Sequence, residues 1–220
     1  MKTFVTSWVL NGYIGTGKTT AIREIQRLLS PKIEVLIFEE NVEEWKDYYG
    51  YNLLQKMYEA NVGGKDKWIA RFQRKAIDDI IYQDRKIERL YRNALCIQER
   101  DLESILKVFL PHNQNKFDEV DYFLNIDACK NGLEMSKGIK KSIFLDISKE
   151  EAYNRMMQRA RTEESSLNFE SFRDMCAEMD VLKRTSDHIV NVSGLNQTET
   201  ARRILQCMGI NLVSNALSRS

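Results

Sequence analysis

The string Gly12-Tyr13-Ile14-Gly15-Thr16-Gly17-Lys18-Thr19 fits the pattern G-x-x-x-x-G-K-[ST], and its setting constrains the fold more than its letters do. The apolar run Phe4–Leu10 leads directly into it, and a helical pattern beginning near Lys18 leads directly out. Between a strand and a helix, the glycines let the backbone curl so that several N–H groups point inward at phosphate oxygens. The helix amino terminus adds partial positive charge. In that geometry Lys18 reaches the β- and γ-phosphates and Thr19 can hold Mg²⁺. The expectation is a site for ATP or GTP built from Gly12, Gly15, Thr16, Gly17, Lys18, Thr19 and Thr20. The loop does not name the group that accepts the phosphate.

Further apolar runs read as strands at Ile33–Phe38, Ala94–Ile97, Ser142–Ile147 and His188–Val192, alternating with longer helical patterns. That alternation predicts a parallel α/β sheet. Asn41, Ser148 and Asn196 each stand three residues before a glutamate and are expected helix caps. Pro31 is expected to close the first helix, and Gly63-Gly64 to interrupt the helical stretch from Glu43 to Tyr91. Lys and Arg (33) nearly cancel Asp and Glu (32), which argues against a generic nucleic-acid or membrane-surface binder. No apolar run is long enough to span a bilayer, and the first residues lack a signal-peptide plan, so a cytoplasmic protein is expected. Four cysteines without a C-x-x-C read as reduced and buried. His112 and His188 have no carboxylate or nucleophile pattern around them and read as structural.

Three functions can use such a loop. A GTP-binding switch needs D-x-x-G and N-K-x-D, and both strings occur, at Asp47–Gly50 and Asn115–Asp118. Their context is wrong, because neither closes an apolar strand. A nucleoside monophosphate kinase, such as a thymidylate kinase, needs extra basic contacts for an acceptor phosphate. A kinase acting on an alcohol needs a general base, an arginine beside it and mobile arginines over the phosphates. The second strand ends at Glu39-Glu40, the third at Gln98-Glu99-Arg100, and Arg155, Arg159 and Arg161 follow the fourth. Carboxyl ends of parallel strands share one edge, so Glu40, Glu99 and Arg100 are expected at the mouth of the phosphate loop.

In these strings the sequence resembles the deoxynucleoside kinase family. The family's G-x-x-G-x-G-K-[ST]-T, E-P-V-x-x-W, N-L-L-x-x-M-Y, F-Q, E-R-S and R-x-R-x-E-E stand here, in order, at Gly12–Thr20, Glu40–Trp45, Asn52–Tyr58, Phe72-Gln73, Glu99–Asp101 and Arg159–Glu164. The resemblance implies a P-loop kinase fold over residues 1–210, with a five-stranded parallel sheet in the order 2-3-1-4-5, helices on both faces, and a lid at about 159–167; residues 211–220 read as a tail. It implies ATP-dependent 5′-phosphorylation of a deoxynucleoside with Mg²⁺, by a homodimer, in the cytoplasm (of the host, if the source is viral). Glu40 would be the general base and Arg100 its partner at the 5′-oxygen. Glu99 would hold Mg²⁺ with Thr19. Arg159 and Arg161 would close over the phosphates, with Arg155 one turn earlier on the same face. Tyr58 and Glu164 would hold the 3′-hydroxyl, Gln73 would read the base, and Trp45, Phe72 and Phe109 would wall it. Backbone near Ser193-Gly194-Leu195 would hold the adenine of ATP.

Two positions depart from the family pattern. Asn41 replaces a proline, and Asp101 replaces a serine, placing a carboxylate beside Arg100. For the base, Ala76 and Ile105 occupy places where cytidine-preferring relatives carry an arginine and an aspartate. Apolar residues there imply a thymidine-like or broad pocket, provided that Arg74 and Asp78, close by in sequence, stay out of it.

Overall fold

A computed structural model describes residues 7–30, 33–60, 67–159, 161–164 and 167–212. Its centre is a parallel sheet of β1 (Ser7–Gly12), β2 (Val35–Phe38), β3 (Leu95–Glu99), β4 (Lys140–Asp146) and β5 (His188–Asn191), in the order β2-β3-β1-β4-β5. That is the expected order. Every residue of β1 is buried, as befits a central strand covered on both faces. Leu10 lies opposite Glu99 on one side and Ile143 on the other, so the phosphate loop, the end of β3 and the end of β4 emerge side by side.

β3 runs further than its apolar run suggests. Gln98 is fully buried yet satisfied: its side chain accepts from Ser7 Oγ at 3.3 Å and donates to the Arg100 carbonyl at 3.0 Å. Polar residues can continue a buried strand when such partners exist. The beginning of the first expected strand, the Pro31 stop and the Gly63-Gly64 break all lie outside the described residues.

The helices are α1 (Lys18–Leu29), α2 (Val42–Lys46), α3 (Leu53–Ala60), α4 (Lys67–Leu90), α5 (Leu102–Ser104), α6 (Leu110–His112), α7 (Glu119–Met135), α8 (Lys149–Gln158), α9 (Phe169–Thr185) and α10 (Gln197–Cys207). A π-helical turn, Ile105–Phe109, joins α5 to α6. Ser148 and Asn196 have extended backbones, and their side chains accept from the Glu151 and Glu199 amides. Asn41 does not cap in this way. Its φ of −77° and ψ of 48° make a tight turn, with the Val42 amide bonded to the Glu40 carbonyl at 2.8 Å, and its side chain makes no cap bond. A cap needs an extended backbone, so the expectation fails there for a local reason. The φ itself is one that proline adopts.

Two large apolar clusters form, beside a small third around Phe38, Ile87 and Cys96. One is built on the sheet, with Leu10, Ile22, Ile25, Phe144, Phe172 and Leu205. The other lies among helices away from the sheet, with Leu53, Ile69, Ile77, Leu102, Leu110 and Phe117. Phe109, on the π-turn, packs against both. The GTP-switch strings are taken up elsewhere: Asp47–Gly50 leads from the end of α2 into a tight turn closed by Tyr48 and Tyr51, and Asp118 caps α7 through the Val120 amide. No helix among the described residues is long and apolar enough to cross a membrane.

Candidate active site

The phosphate loop has the backbone its glycines were expected to supply. Gly15 and Gly17 both have φ of 86°, in the left-handed region. A Cβ on Gly15 would also stand 2.2 Å from the Ala152 carbonyl oxygen, because the loop presses against α8. Lys18 is buried, and its ammonium donates to the carbonyls of Gly12 (3.3 Å) and Tyr13 (3.2 Å) and lies 3.6 Å from Glu99. Burial, aided by the positive charge of Arg100, lowers its pKa to about 8. Gly15, Lys18 and Thr19 border a cavity of about 520 Å³, within the range of small-molecule sites. Gly12, Thr16 and Gly17 shape the loop behind it, with the Thr16 hydroxyl bonded to the Tyr13 carbonyl at 2.9 Å. Thr20 is exposed on α1 and does not border the cavity.

At the next strand tips the carboxylates and the arginine converge. Glu40 accepts from Arg100 Nε, while Glu39 pairs with Arg23, with contacts of 2.5 and 2.6 Å. Both glutamates border the cavity, and the two differ in partner: Glu40 meets the buried Arg100, Glu39 the exposed Arg23. Arg100 has φ of 66°, an uncommon value for a residue other than glycine, and strain of this kind gathers at functional sites. Its guanidinium lies 4.7 Å from the Phe109 ring centre, and its Nη1 is buried without a partner. Burial alone would raise the Glu40 pKa; Arg100 and Lys18 outweigh it and hold the carboxyl below the usual range. Glu99 goes the other way: burial and the repulsion of Glu40 raise it, against the pull of Lys18. Two carboxylates pushed apart in this manner are suited to different tasks.

Thr19 Oγ1 donates to Glu99 Oε2 at 2.8 Å. A threonine hydroxyl at the loop and a carboxylate oxygen beside it are hard donors that suit a divalent cation taking its remaining ligands from phosphate and water. Among the described residues, no group of three or more His, Cys, Asp or Glu forms a self-sufficient metal site.

Further along the cavity, Arg159 Nη2 pairs with Glu164 Oε1, and Arg161 Nη1 approaches the same oxygen at 3.7 Å. Glu164 is buried, and its second oxygen has no partner. Tyr58 borders the same space, its hydroxyl pKa raised by burial and by the nearby Glu164 charge. Neighbouring Glu163 ties the segment to α3, accepting from Asn52 Nδ2 at 3.1 Å. Arg155 stays out of the cavity, paired with Glu151 at 2.6 Å.

The far end is walled by Trp45 and Phe72, which meet edge to face with ring centres 5.1 Å apart. Gln73 is 2% exposed at that wall. Ala76 and Ile105 border the cavity, whereas Arg74 and Asp78 pair with each other at 3.1 Å on the exposed face of α4. Asp101 turns away as well: it caps α5, accepting from the Ser104 amide at 2.9 Å, so it does not compete for Arg100. The sequence reading missed Ile80, Gln83 and Asp79, which also border the cavity. Ile80 and Gln83 were findable, since 73, 76, 80 and 83 fall on one face of a helix. His112, read as structural, pairs with Glu178 at 2.9 Å and also borders the cavity, whereas His188 packs against Trp8.

A family model described as deoxynucleoside kinase matches residues 8–199. Among solved structures, the chain is similar to deoxyadenosine kinase from M. mycoides with bound dATP. The two are 20% identical, the match covers 92% of this chain and 99% of that one, and the TM-score is 0.70. At that identity the likeness speaks for the fold.

Proposed function

The chain belongs to the deoxynucleoside kinase family, and from that premise we propose that it transfers the γ-phosphoryl group of ATP to the 5′-hydroxyl of a deoxynucleoside, preferring thymidine or pyrimidines or accepting bases broadly. Membership makes the chain a nucleoside kinase, a phosphotransferase that uses ATP. The acceptor atom, the base and the residue roles are our reading.

One observation carries it: an ionised Glu40, paired with Arg100, faces the cavity that opens from Lys18. A carboxylate at the acceptor position suits a hydroxyl and repels a phosphate, which sets aside the monophosphate kinase. Glu40 takes the proton as the 5′-oxygen attacks, and the unpartnered Arg100 Nη1 is placed to bond that oxygen. The free oxygen of Glu164 and the Tyr58 hydroxyl hold the 3′-hydroxyl. Gln73 reads the base between Trp45, Phe72 and Phe109. Lys18, Arg159 and Arg161 supply positive charge for the transferred group. Thr19 and Glu99 would hold Mg²⁺, which when bound neutralises β- and γ-phosphate charge. The apolar surround of Ala76, Ile80 and Ile105 supports the base preference. Exposed Val120, Phe123 and Leu124 on α7 support a homodimer through that helix.

Radiolabelled ATP with thymidine or thymidine monophosphate tests the reading, followed by deoxycytidine, deoxyadenosine and deoxyguanosine. Label is expected in thymidine monophosphate made from thymidine. Label passing only to the monophosphate would reject it.

A further inference from the structure

Trp45 reaches the cavity from α2, a helix of five residues, too short to hold a large ring in place by itself. What fixes the ring comes from α4. Trp45 Nε1 donates to Asp79 Oδ2 at 2.8 Å, and Asp79 Oδ1 accepts from Lys75 Nζ. Lys75 then reaches back to Glu44 on α2 at 3.1 Å and stands 5.7 Å from the Tyr48 ring centre. Both Asp79 oxygens are therefore engaged, and the residue is 9% exposed at the cavity wall.

A carboxylate is an expensive choice for this place. Its helical neighbours on the wall, Ala76 and Ile80, are apolar, and burying an ion there costs free energy that packing does not return. An apolar residue would serve packing better. The aspartate supplies something else, an acceptor that is held from one side by Lys75 and so presents its other oxygen in one place. The indole N–H is the group it meets. With that bond made, the ring stands edge to face with Phe72, 5.1 Å away, next to Gln73.

We propose that Asp79 is a positioning residue of the base pocket, locking the Trp45 indole at the angle that accepts a nucleobase, with Lys75 as its anchor. The inference rests on the reading of Trp45 as a wall of the nucleoside site. It assigns Asp79 to nucleoside affinity and leaves turnover and ATP binding to the strand-tip residues. A mere staple between α2 and α4 would instead lower stability and disturb all kinetic constants together.

The test is a double-mutant cycle with one optical readout. Asp79→Leu removes the acceptor at similar volume; Asp79→Asn keeps an oxygen for the indole. With saturating ATP and the best of the four deoxynucleosides, Asp79→Leu should raise nucleoside KM about tenfold, the scale of a lost hydrogen bond to a charged acceptor. The kcat and the ATP KM should stay near wild type, and Asp79→Asn should recover most of the loss. In a Trp45→Phe background, where no N–H remains, Asp79→Leu should add little. Trp45 emission, taken as the difference between each chain and its Trp45→Phe counterpart, should become more open to acrylamide quenching in Asp79→Leu. An equal KM penalty in both backgrounds, unchanged quenching, or a parallel rise in ATP KM would each overturn the proposal. Should Asp79→Leu not fold, Asp79→Ser, whose oxygen falls short of the indole, carries the same cycle. A wild-type chain that phosphorylates none of the four nucleosides would defeat the nucleoside reading, while the quenching comparison would still judge the link between Asp79 and Trp45.

Discussion

The two ends of the cavity are built differently. At the phosphate end, Glu40, Glu99 and Arg100 stand at or just beyond strand tips, and Lys18 and Thr19 open the helix that follows the loop after β1. At the base end, Trp45 comes from α2, Phe72, Gln73 and Ile80 from α4 and Ile105 from the π-turn, and all but Gln73 belong to the helical cluster. The first end is set by sheet register and the turn into α1, the second by side-chain packing between helices. Charge also divides them. Ionised groups crowd the phosphate end, whereas the α4 wall of the base end mixes apolar Phe72, Ala76 and Ile80 with the amides of Gln73 and Gln83 and the paired Asp79. A site divided in this way can keep its chemistry fixed while its base preference changes with a few apolar substitutions.

Substitutions at the two ends should therefore separate in kind. Apart from the proposed base itself, the largest effect is expected from Arg161→Ala, which on the proposed reading removes positive charge from beside the transferred group: kcat should fall about a thousandfold, with nucleoside KM little changed in steady-state assays. A rise in KM with normal kcat would place Arg161 at the wrong end. Gln73→Leu should show the opposite split, raising nucleoside KM about ten- to a hundredfold at near-normal kcat, because a base edge is left unpaired. Unchanged KM across all four nucleosides would remove Gln73 from base reading.

Acid dependence sharpens the contrast within the phosphate end. Arg100 helps hold Glu40 ionised below the usual carboxylate range, against the opposite pull of burial. Without that charge, burial dominates and the Glu40 pKa rises. With Glu40 as the proposed base, activity needs its ionised form, so Arg100→Met should lose kcat/KM at a higher pH than wild type as the solution is made acid. An acid limb that stays in place would assign it to another group. The smallest effect is expected at a residue that does not border the cavity: Ser148→Ala removes the α8 cap, costing about 1 kcal/mol, or about 2–4 °C in Tm, with kinetic constants little changed.

The same division explains what could be read from the amino-acid string. Strand tips carry short contiguous signals, so Gly12–Thr19, the pair Glu39-Glu40 and Glu99-Arg100 were legible from the residues, while the sheet order and the preference for Glu40 over Glu39 came through the family pattern. Which partner each glutamate takes was not legible, because a residue's side of the strand depends on where pairing ends; Arg23 meets Glu39 and Arg100 meets Glu40. At the base end the signal is spread along helices. Phe72-Gln73 stood out only through the family pattern, and Ile80 and Gln83 passed unnoticed although they repeat Gln73's helical face. Asp79 was hidden because a charged residue on a helix ordinarily faces solvent. The effect of Asp101 beside Arg100 was not legible from the family pattern; Asp101-Leu102-Glu103-Ser104 forms a helix cap that keeps its carboxylate engaged.

Glu40→Gln bears on the central claim most directly, because the amide fills the same space but cannot take a proton. Isothermal titration should show thymidine binding close to wild type, while rapid-quench turnover with saturating ATP falls about a hundred- to ten-thousandfold. Near-normal turnover in that variant would contradict the account.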